Sequence, residues 1–411
     1  MNYRSRWVLP IDRPPIDGGW VQVRDGQIAS VGTSRPDGES RDLGDVAVLP
    51  GLVNAHTHLE LSWMAGLVPS SPSMDAWIRT LMRIRRAGAP GGLDTERAAA
   101  LDAVGAMRDS GTVLVGDIAN SLLTPDLIAG AGLGGVVFHE LTGFQPKEPH
   151  KAVQLAWERV EGAKRTLPSL RAPLRLSVVA HAPYSVSPTL FREIVRAAEE
   201  ARAPLSIHLA ESPEEVEFIR TGRGPIRDAI EALGVWNDLW SAPACEPDEY
   251  IARLGYLRPG LLVTHGVHLT VAGLERLRAA GAVLVTCPRS NLWVGAGSPN
   301  IAQFFGSGLP VAIGTDSLAS VATLNLFDEL AELRRLAPEV TAASLLESAT
   351  RVGAEALGLG DLYGTIAPKK RAALIAVRVP AHVRDVEEYL VGGISAGDVE
   401  HVQWGSGAMG Q

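Results

Sequence analysis

The sequence predicts an α/β protein: a (β/α)8 TIM barrel with a small β-sandwich formed by the N- and C-terminal segments. Three observations predict it. Between residue 51 and residue 357, short apolar runs alternate with helix-like segments, and eight such runs can be counted. Polar residues gather at the C-terminal ends of these runs, the end of a barrel where active sites lie. The flanking segments, 1–50 and 358–411, lack the helical rhythm and read as short strands that meet in one layer.

Each element has a local reason. Near the N-terminus, residues 20–23 and 27–32 read as strands around Asp25-Gly26, a hairpin signal. The apolar run 46–53 reads as one buried strand that carries the chain to His56 and His58. A helix over 95–109 stops near Gly111 and leads to runs 112–117 and 135–140. Helices over 149–165 and 188–202 lead to runs 174–181 and 205–208. The remaining runs are 261–265, 282–287 and 310–316. After Gly358 the helices stop, and the run 372–377 returns to the N-terminal layer. Residues 405–411 read as a frayed tail.

Composition narrows the function. The 411 residues allow a large core, and 46% hydrophobic with 20% charged residues argues against disorder. A formal net charge of -8 argues against a nucleic-acid surface. No apolar run is long enough to cross a bilayer, and the first ten residues hold no signal-peptide core. Two cysteines, Cys245 and Cys287, cannot build a disulfide framework, so a reduced cytoplasmic setting is expected. The expected partner is a small molecule, not a nucleic acid or a membrane, and a homodimer is left open.

The chemistry begins at His56-Thr57-His58. Residues i and i+2 of a strand point to one side, so both imidazoles face one point past the strand end. Two neutral imidazoles there make half of a zinc-type site. His208 ends another run, and Glu211 can turn back into the same cleft three residues on. His265 and Asp316 end two later runs. An aspartate there could simply cap a helix. With several histidines converging, metal ligation or water orientation is the preferred reading.

These residues, with His181-Ala182-Pro183-Tyr184-Ser185 and Cys287-Pro288-Arg289-Ser290-Asn291, stand in the order found in the amidohydrolase superfamily, which the whole chain resembles. It is most similar to the branch of nucleoside and base aminohydrolases and triazine hydrolases. One departure is Arg371-Ala372-Ala373-Leu374, where members usually place Asp before Leu. The resemblance implies one divalent metal ion on His56, His58, His208 and Asp316, with zinc expected and iron the alternative. Ser177 to His181 holds no lysine, which favours one metal over two. The Pro-Cys-x-x-Cys of cytidine-deaminase-type zinc enzymes is absent. The resemblance further implies hydrolytic deamination, in which Glu211 protonates the ring nitrogen and helps ammonia leave. His265 and Asp316 then orient the water and accept its proton.

Substrate contacts are expected from His181 and Glu140, at neighbouring strand ends, with a buried structural role the alternative for each. Adenosine-type relatives place a glutamate about two turns beyond the position of Trp77 to grip ribose. Here that stretch is Arg79-Thr80-Leu81-Met82-Arg83-Ile84-Arg85-Arg86. Arg79, Arg83 and Arg86 share one helical face, which is either a solvated face or a grip for an anionic substrate group. With His58-Leu59-Glu60-Leu61-Ser62, this resembles aminodeoxyfutalosine deaminases of menaquinone synthesis, whose substrate is an adenine nucleoside with a benzoate tail. Glu60, Trp77, Arg83 and Arg86 are therefore added to the expected substrate contacts. The competing activities are methylthioadenosine, S-adenosylhomocysteine, adenosine or guanine deamination and triazine dechlorination. A metal-free binding protein is the competitor from another class, and it would show a missing ligand.

Overall fold

The apolar run 46–53 is two strands, not one. Val46–Pro50 pairs antiparallel with Leu374–Arg378 and parallel with Trp7–Val8, in the β-sandwich. Leu52–Thr57 pairs with Thr112–Ala119 in the barrel. The chain changes sheets at Pro50-Gly51, because proline has no N–H for a ladder and Gly51 crosses against Val113. A Cβ on Gly51 would lie 2.1 Å from Val113 Cγ1.

A computed structural model describes residues 1–403. Eight parallel barrel strands follow in chain order. They are β1 (Leu52–Thr57), β2 (Thr112–Ala119), β3 (Gly134–Leu141), β4 (Leu174–Ala180), β5 (Ser206–Leu209), β6 (Leu262–His265), β7 (Val283–Thr286) and β8 (Val311–Ile313). Hydrogen-bonded ladders run β4-β3-β2-β1 and β5-β6-β7-β8. Two joins close the ring. Thr315 and Asp316 N–H both donate to the His56 carbonyl at 3.1 Å, and His208 N–H donates to the His181 carbonyl at 2.9 Å. Both faces of these strands are covered, which is why their sequences read as unbroken apolar runs.

The outer helices bury one stripe each. Pro188–Ala201 starts at Ser187, whose side chain accepts the Leu190 N–H, with proline in the first turn. It buries Leu190, Phe191, Ile194 and Ala198, and burying a side chain such as Phe191 or Ile194 contributes roughly 1.5–3 kcal/mol. Arg202 ends it with φ +49°.

The sandwich has two sheets. One holds Trp20–Arg24, Gln27–Gly32, Asn2–Arg4 and Ser40–Asp42; the other is ordered Val399–Gln403, Leu374–Arg378, Val46–Pro50, Trp7–Val8, Ile16–Asp17. Asp25 (φ 50°) and Gly26 (φ 74°) form the left-handed pair that a two-residue hairpin turn needs. Tyr3, Val8, Val21, Ile28, Val48 and Leu374 pack between the layers.

The C-terminal segment is not purely strand. Val386–Val391 is a helix capped by Asp385, burying Val386, Leu390 and Val391. Six residues are too few to show a helical period, so the sequence pattern missed it. The tail 405–411 lies outside the described residues. Among the described residues, no helix is long and apolar enough to cross a membrane.

Candidate active site

The end of β1 supplies the first two groups. His56 is buried, and Thr264 Oγ1 lies 3.3 Å from its Nδ1. Its Nε2 is buried with no hydrogen-bond partner. His58 Nε2 lies 3.6 Å from Asp316 Oδ1 and 3.2 Å from His208 Nε2. Asp316 reaches this point because β8 runs tight against β1. Asn54 Nδ2 donates to Thr315 Oγ1 at 2.7 Å, and Thr57 Oγ1 donates to the Asp316 carbonyl at 2.9 Å. Gly314 allows the approach, since a Cβ there would sit 2.6 Å from the His56 carbonyl oxygen.

His208 comes from the far side of the ring. Its Nδ1 donates to the His181 carbonyl at 3.1 Å, with Glu140 Oε1 at 3.4 Å, which turns Nε2 toward His58. His265 ends β6 in left-handed backbone, φ +74°. Asn291 Nδ2 donates to His265 Nδ1 at 3.0 Å, so the ring proton sits on Nε2, 3.4 Å from Glu211 Oε1. Ser290, beside Asn291, donates to Asp316 Oδ2 at 2.5 Å, and Ser320 donates there at 3.3 Å. Asp316 (φ 62°) and Ala210 (φ 49°) are also left-handed. Strain of this kind gathers where side chains must be aimed, at roughly 1–3 kcal/mol per residue.

The donor set fits a divalent cation. Ligand atoms of His56, His58 and Asp316 lie within 4.8 Å of one another, as do those of His56, His208 and His265. Burial and the neighbouring imidazoles hold His56 and His265 well below the usual histidine range. Burial likewise pushes His58 and His208 down to about 4, although Glu140 opposes it at both. Neutral imidazoles are the form that binds metal. A cation would also account for the unpaired buried Nε2 of His56. Nitrogen ligands with one carboxylate suit zinc.

Glu211 is buried beside this cluster. Burial first, then Asp316 and Glu215, raise its pKa well above the carboxylate range. His181 lies next to His208, with ring centroids 4.9 Å apart, and Ser185 Oγ sits 2.6 Å from its Nδ1. Glu140 Oε2 accepts from Asn120 Nδ2 at 3.1 Å.

Other expected substrate contacts are placed differently. Glu60 does not face the cluster with a free carboxylate. It accepts the N–H groups of Asn120, Ser121 and Leu123 at 2.9–3.2 Å and the Ser121 hydroxyl at 2.7 Å. Its acceptor capacity is spent on the loop after β2. Trp77 packs with Met64, Val68, Met74 and Val294, its Nε1 buried without a partner. Arg83, Arg85 and Arg86 are all exposed, and Arg79, exposed too, pairs with Asp75 at 3.0 Å. Arg79, Arg83 and Arg86 do share a face of helix Met74–Ala87, but it is the solvent face. The packed stripe is Met74, Trp77, Ile78, Leu81 and Ile84. Arg85 lies four residues after Leu81 and borders that stripe. It donates to Asn120 Oδ1 at 2.9 Å, and its charge helps hold His58 and His181 neutral.

Sequence reasoning missed Asn120, Ser290, Asn291 and Glu215. Ser290 and Asn291 sat in a quoted motif but had no role there. Glu215 had the signature of a helix cap, and Asn120 had no signal at all.

The chain matches the Amidohydrolase family over residues 47–403. It is 32% identical over 327 residues to an aminodeoxyfutalosine deaminase of Deinococcus radiodurans, spanning 76% of this chain and 73% of that one. It is 31% identical over 419 residues to a 5-methylthioadenosine/S-adenosylhomocysteine deaminase of Syntrophobacter fumaroxidans, spanning 96% and 88%. Its fold is that of a zinc-bound adenosine deaminase from Xanthomonas campestris, with TM-score 0.81 at 24% identity over 97% and 90% of the two chains. A family match over that span, on a closed barrel with polar strand ends, makes the chain a member of the amidohydrolase family and a hydrolase of carbon–nitrogen bonds.

Proposed function

We propose that the chain deaminates the adenine ring of a nucleoside by hydrolysis, with one divalent cation, zinc for preference, on His56, His58, His208 and Asp316. One observation carries the reading: the Glu211 carboxyl, buried and of raised pKa, sits 3.4 Å from His265 Nε2 at the edge of that cluster. A cation held there would lower the pKa of water to about 7 and so supply a nucleophile near neutral pH. Glu211 enters protonated and gives its proton to the ring nitrogen next to the amino-bearing carbon. That carbon becomes the electrophile. His265 carries its proton on Nε2, so it donates a hydrogen bond and orients the attacking oxygen. Acceptance of the water proton then falls to Asp316. The carbon–oxygen bond forms, the carbon–nitrogen bond breaks, and the two carboxyl groups pass the protons that let ammonia leave. One water is consumed and one ammonia released.

The preferred substrate is 6-aminodeoxyfutalosine, an adenine nucleoside with an acidic tail, which would place the reaction in menaquinone synthesis. Two things support this: the 32% identity to a deaminase of that name, and Arg85, which donates to Asn120 and whose positive charge is felt at His58 and His181. Methylthioadenosine or S-adenosylhomocysteine is the second reading, supported by a relative matched over 96% of the chain. Ammonia release from these three nucleosides and adenosine ranks them by kcat/KM. Glu211→Gln tests the chemistry itself: it should keep its metal and lose about 10²–10⁴-fold in turnover, the usual span of general acid–base catalysis. Turnover within a few-fold of wild type would remove Glu211 from the reaction.

A further inference from the structure

Glu215 lies outside the cluster, yet its fully buried carboxylate faces back across the turn that ends β5. Oε1 accepts the Ala210 N–H at 2.9 Å, and Oε2 accepts the Glu211 N–H at 3.0 Å. Ala210 is the residue held at φ 49°, and its carbonyl accepts the His268 N–H at 2.8 Å. The helix Pro213–Thr221 starts at Ser212, whose Oγ accepts the Glu215 N–H at 3.3 Å. In a capping box the glutamate at this place turns back to the N–H of the cap residue. Glu215 instead reaches past Ser212 to the two residues before it. Helix capping requires neither contact.

We propose that Glu215 is a positioning residue: its carboxylate clamps the 208–211 turn and fixes the direction in which Glu211 meets the substrate. This rests on the role given to Glu211 above. Two oxygens of one planar group grip two successive N–H groups, which ties the peptide planes of Ala210 and Glu211 to the following helix. Glutamine has the same shape but one acceptor oxygen, so one N–H would face an NH2 group. Aspartate is one methylene too short to reach both. A shift of about 1 Å in a catalytic group can cost about 100-fold.

The test is a double-mutant cycle on zinc-loaded protein: wild type, Glu211→Gln, Glu215→Gln and the double variant, with zinc content, kcat and KM measured on the fastest adenine nucleoside of the panel. Ser212→Ala is the cap control. Glu215→Gln should lower kcat at least tenfold, leave KM within about threefold and keep its zinc. Added to Glu211→Gln, it should change the residual rate by less than about twofold. Ser212→Ala should lower Tm and leave kcat alone. The proposal is overturned if Glu215→Gln turns over within threefold of wild type, if the two losses multiply, if zinc is lost, or if Ser212→Ala lowers kcat equally. Should Glu215→Gln fail to fold, Glu215→Asp takes its place, and failure of both assigns Glu215 to the fold alone. A near-wild-type Glu211→Gln removes the functional reading and this proposal with it. A slow Glu211→Gln beside an unaffected Glu215→Gln removes only this one.

Discussion

Replacing Gly314 with alanine should loosen the metal site without touching a ligand. The added methyl would lie 2.6 Å from the His56 carbonyl oxygen, 2.7 Å from His56 Cβ and 2.9 Å from His56 N. None of these is the end of a flexible side chain. Ordinary contact begins at 3.4 Å, so β1 and β8 must part locally by close to 0.8 Å. The struck carbonyl is the one that accepts from both Thr315 and Asp316 at 3.1 Å, and parting the strands stretches both bonds. At roughly 1 kcal/mol for each of the two hydrogen bonds and 1–3 kcal/mol for overpacking, the fold should lose about 3–5 kcal/mol. Asp316 would move against His56 and His58, and disturbing a ligand's support costs about 10–100-fold in metal affinity. Zinc competition against a chromophoric chelator reads the affinity, and thermal unfolding with and without zinc reads the stability. Wild-type zinc affinity with a lowered Tm would refute the link from strand approach to ligand geometry. An unchanged Tm would refute the close approach itself.

Other outcomes follow from the same structure. His208→Ala should lose both metal and activity, and full zinc occupancy by elemental analysis would take His208 out of the ligand set. Arg85→Ala should lower kcat/KM for 6-aminodeoxyfutalosine about tenfold to a hundredfold and barely move adenosine, since a charge-assisted hydrogen bond contributes roughly 1.5–3 kcal/mol. Arg83→Ala and Arg86→Ala should behave as wild type; equal losses on both substrates in Arg85→Ala would end the anion reading. Asp117 is fully buried, accepting from Leu59 N–H at 2.9 Å and Thr124 Oγ1 at 2.5 Å, and burial pushes its pKa up to about 8. A raised folded-state pKa stabilises below the unfolded value near 4, and that contribution is lost as pH rises toward 8. Metal-free wild type should therefore lose on the order of 1 kcal/mol per pH unit from this group between pH 5 and 8. Asp117→Asn should flatten that slope in thermal unfolding, and an unchanged slope would acquit the residue.

Much of this was legible because burial on both faces writes parallel strands as apolar runs, and the polar residues that stop the runs are the chemical ones. The switch of sheets at Pro50-Gly51 was not legible, since two strands of one apolar run look like one. The partners of Glu60 were not legible, because its place two residues after His58 hides that three backbone N–H groups of another loop converge on it. The arginine face stood open between solvent and an anionic substrate group, although a signal for its direction was present. Met74, Trp77, Leu81 and Ile84 fix the phase of their helix and leave Arg79, Arg83 and Arg86 outward. Asn120 has neither motif nor spacing to mark it. Its role exists only because β2 and β3 end side by side.

The ring is two ladders of four strands, each made from neighbours in sequence, and the joins between them are thin. Loop-closure entropy favours sequence-local ladders forming first, with contacts such as His56 with Thr315, which close the longest loops, expected last. The expected ligands sit on both sides: His56 and His58 on one ladder, His208 and Asp316 on the other. A cation held by all four is thus a rivet between half-barrels, and it acts on the step that separates them. Interactions made late in folding chiefly slow unfolding. The lifetime of this protein in a cell would then follow metal supply, with metal-starved copies opening along the joins and meeting proteases there first.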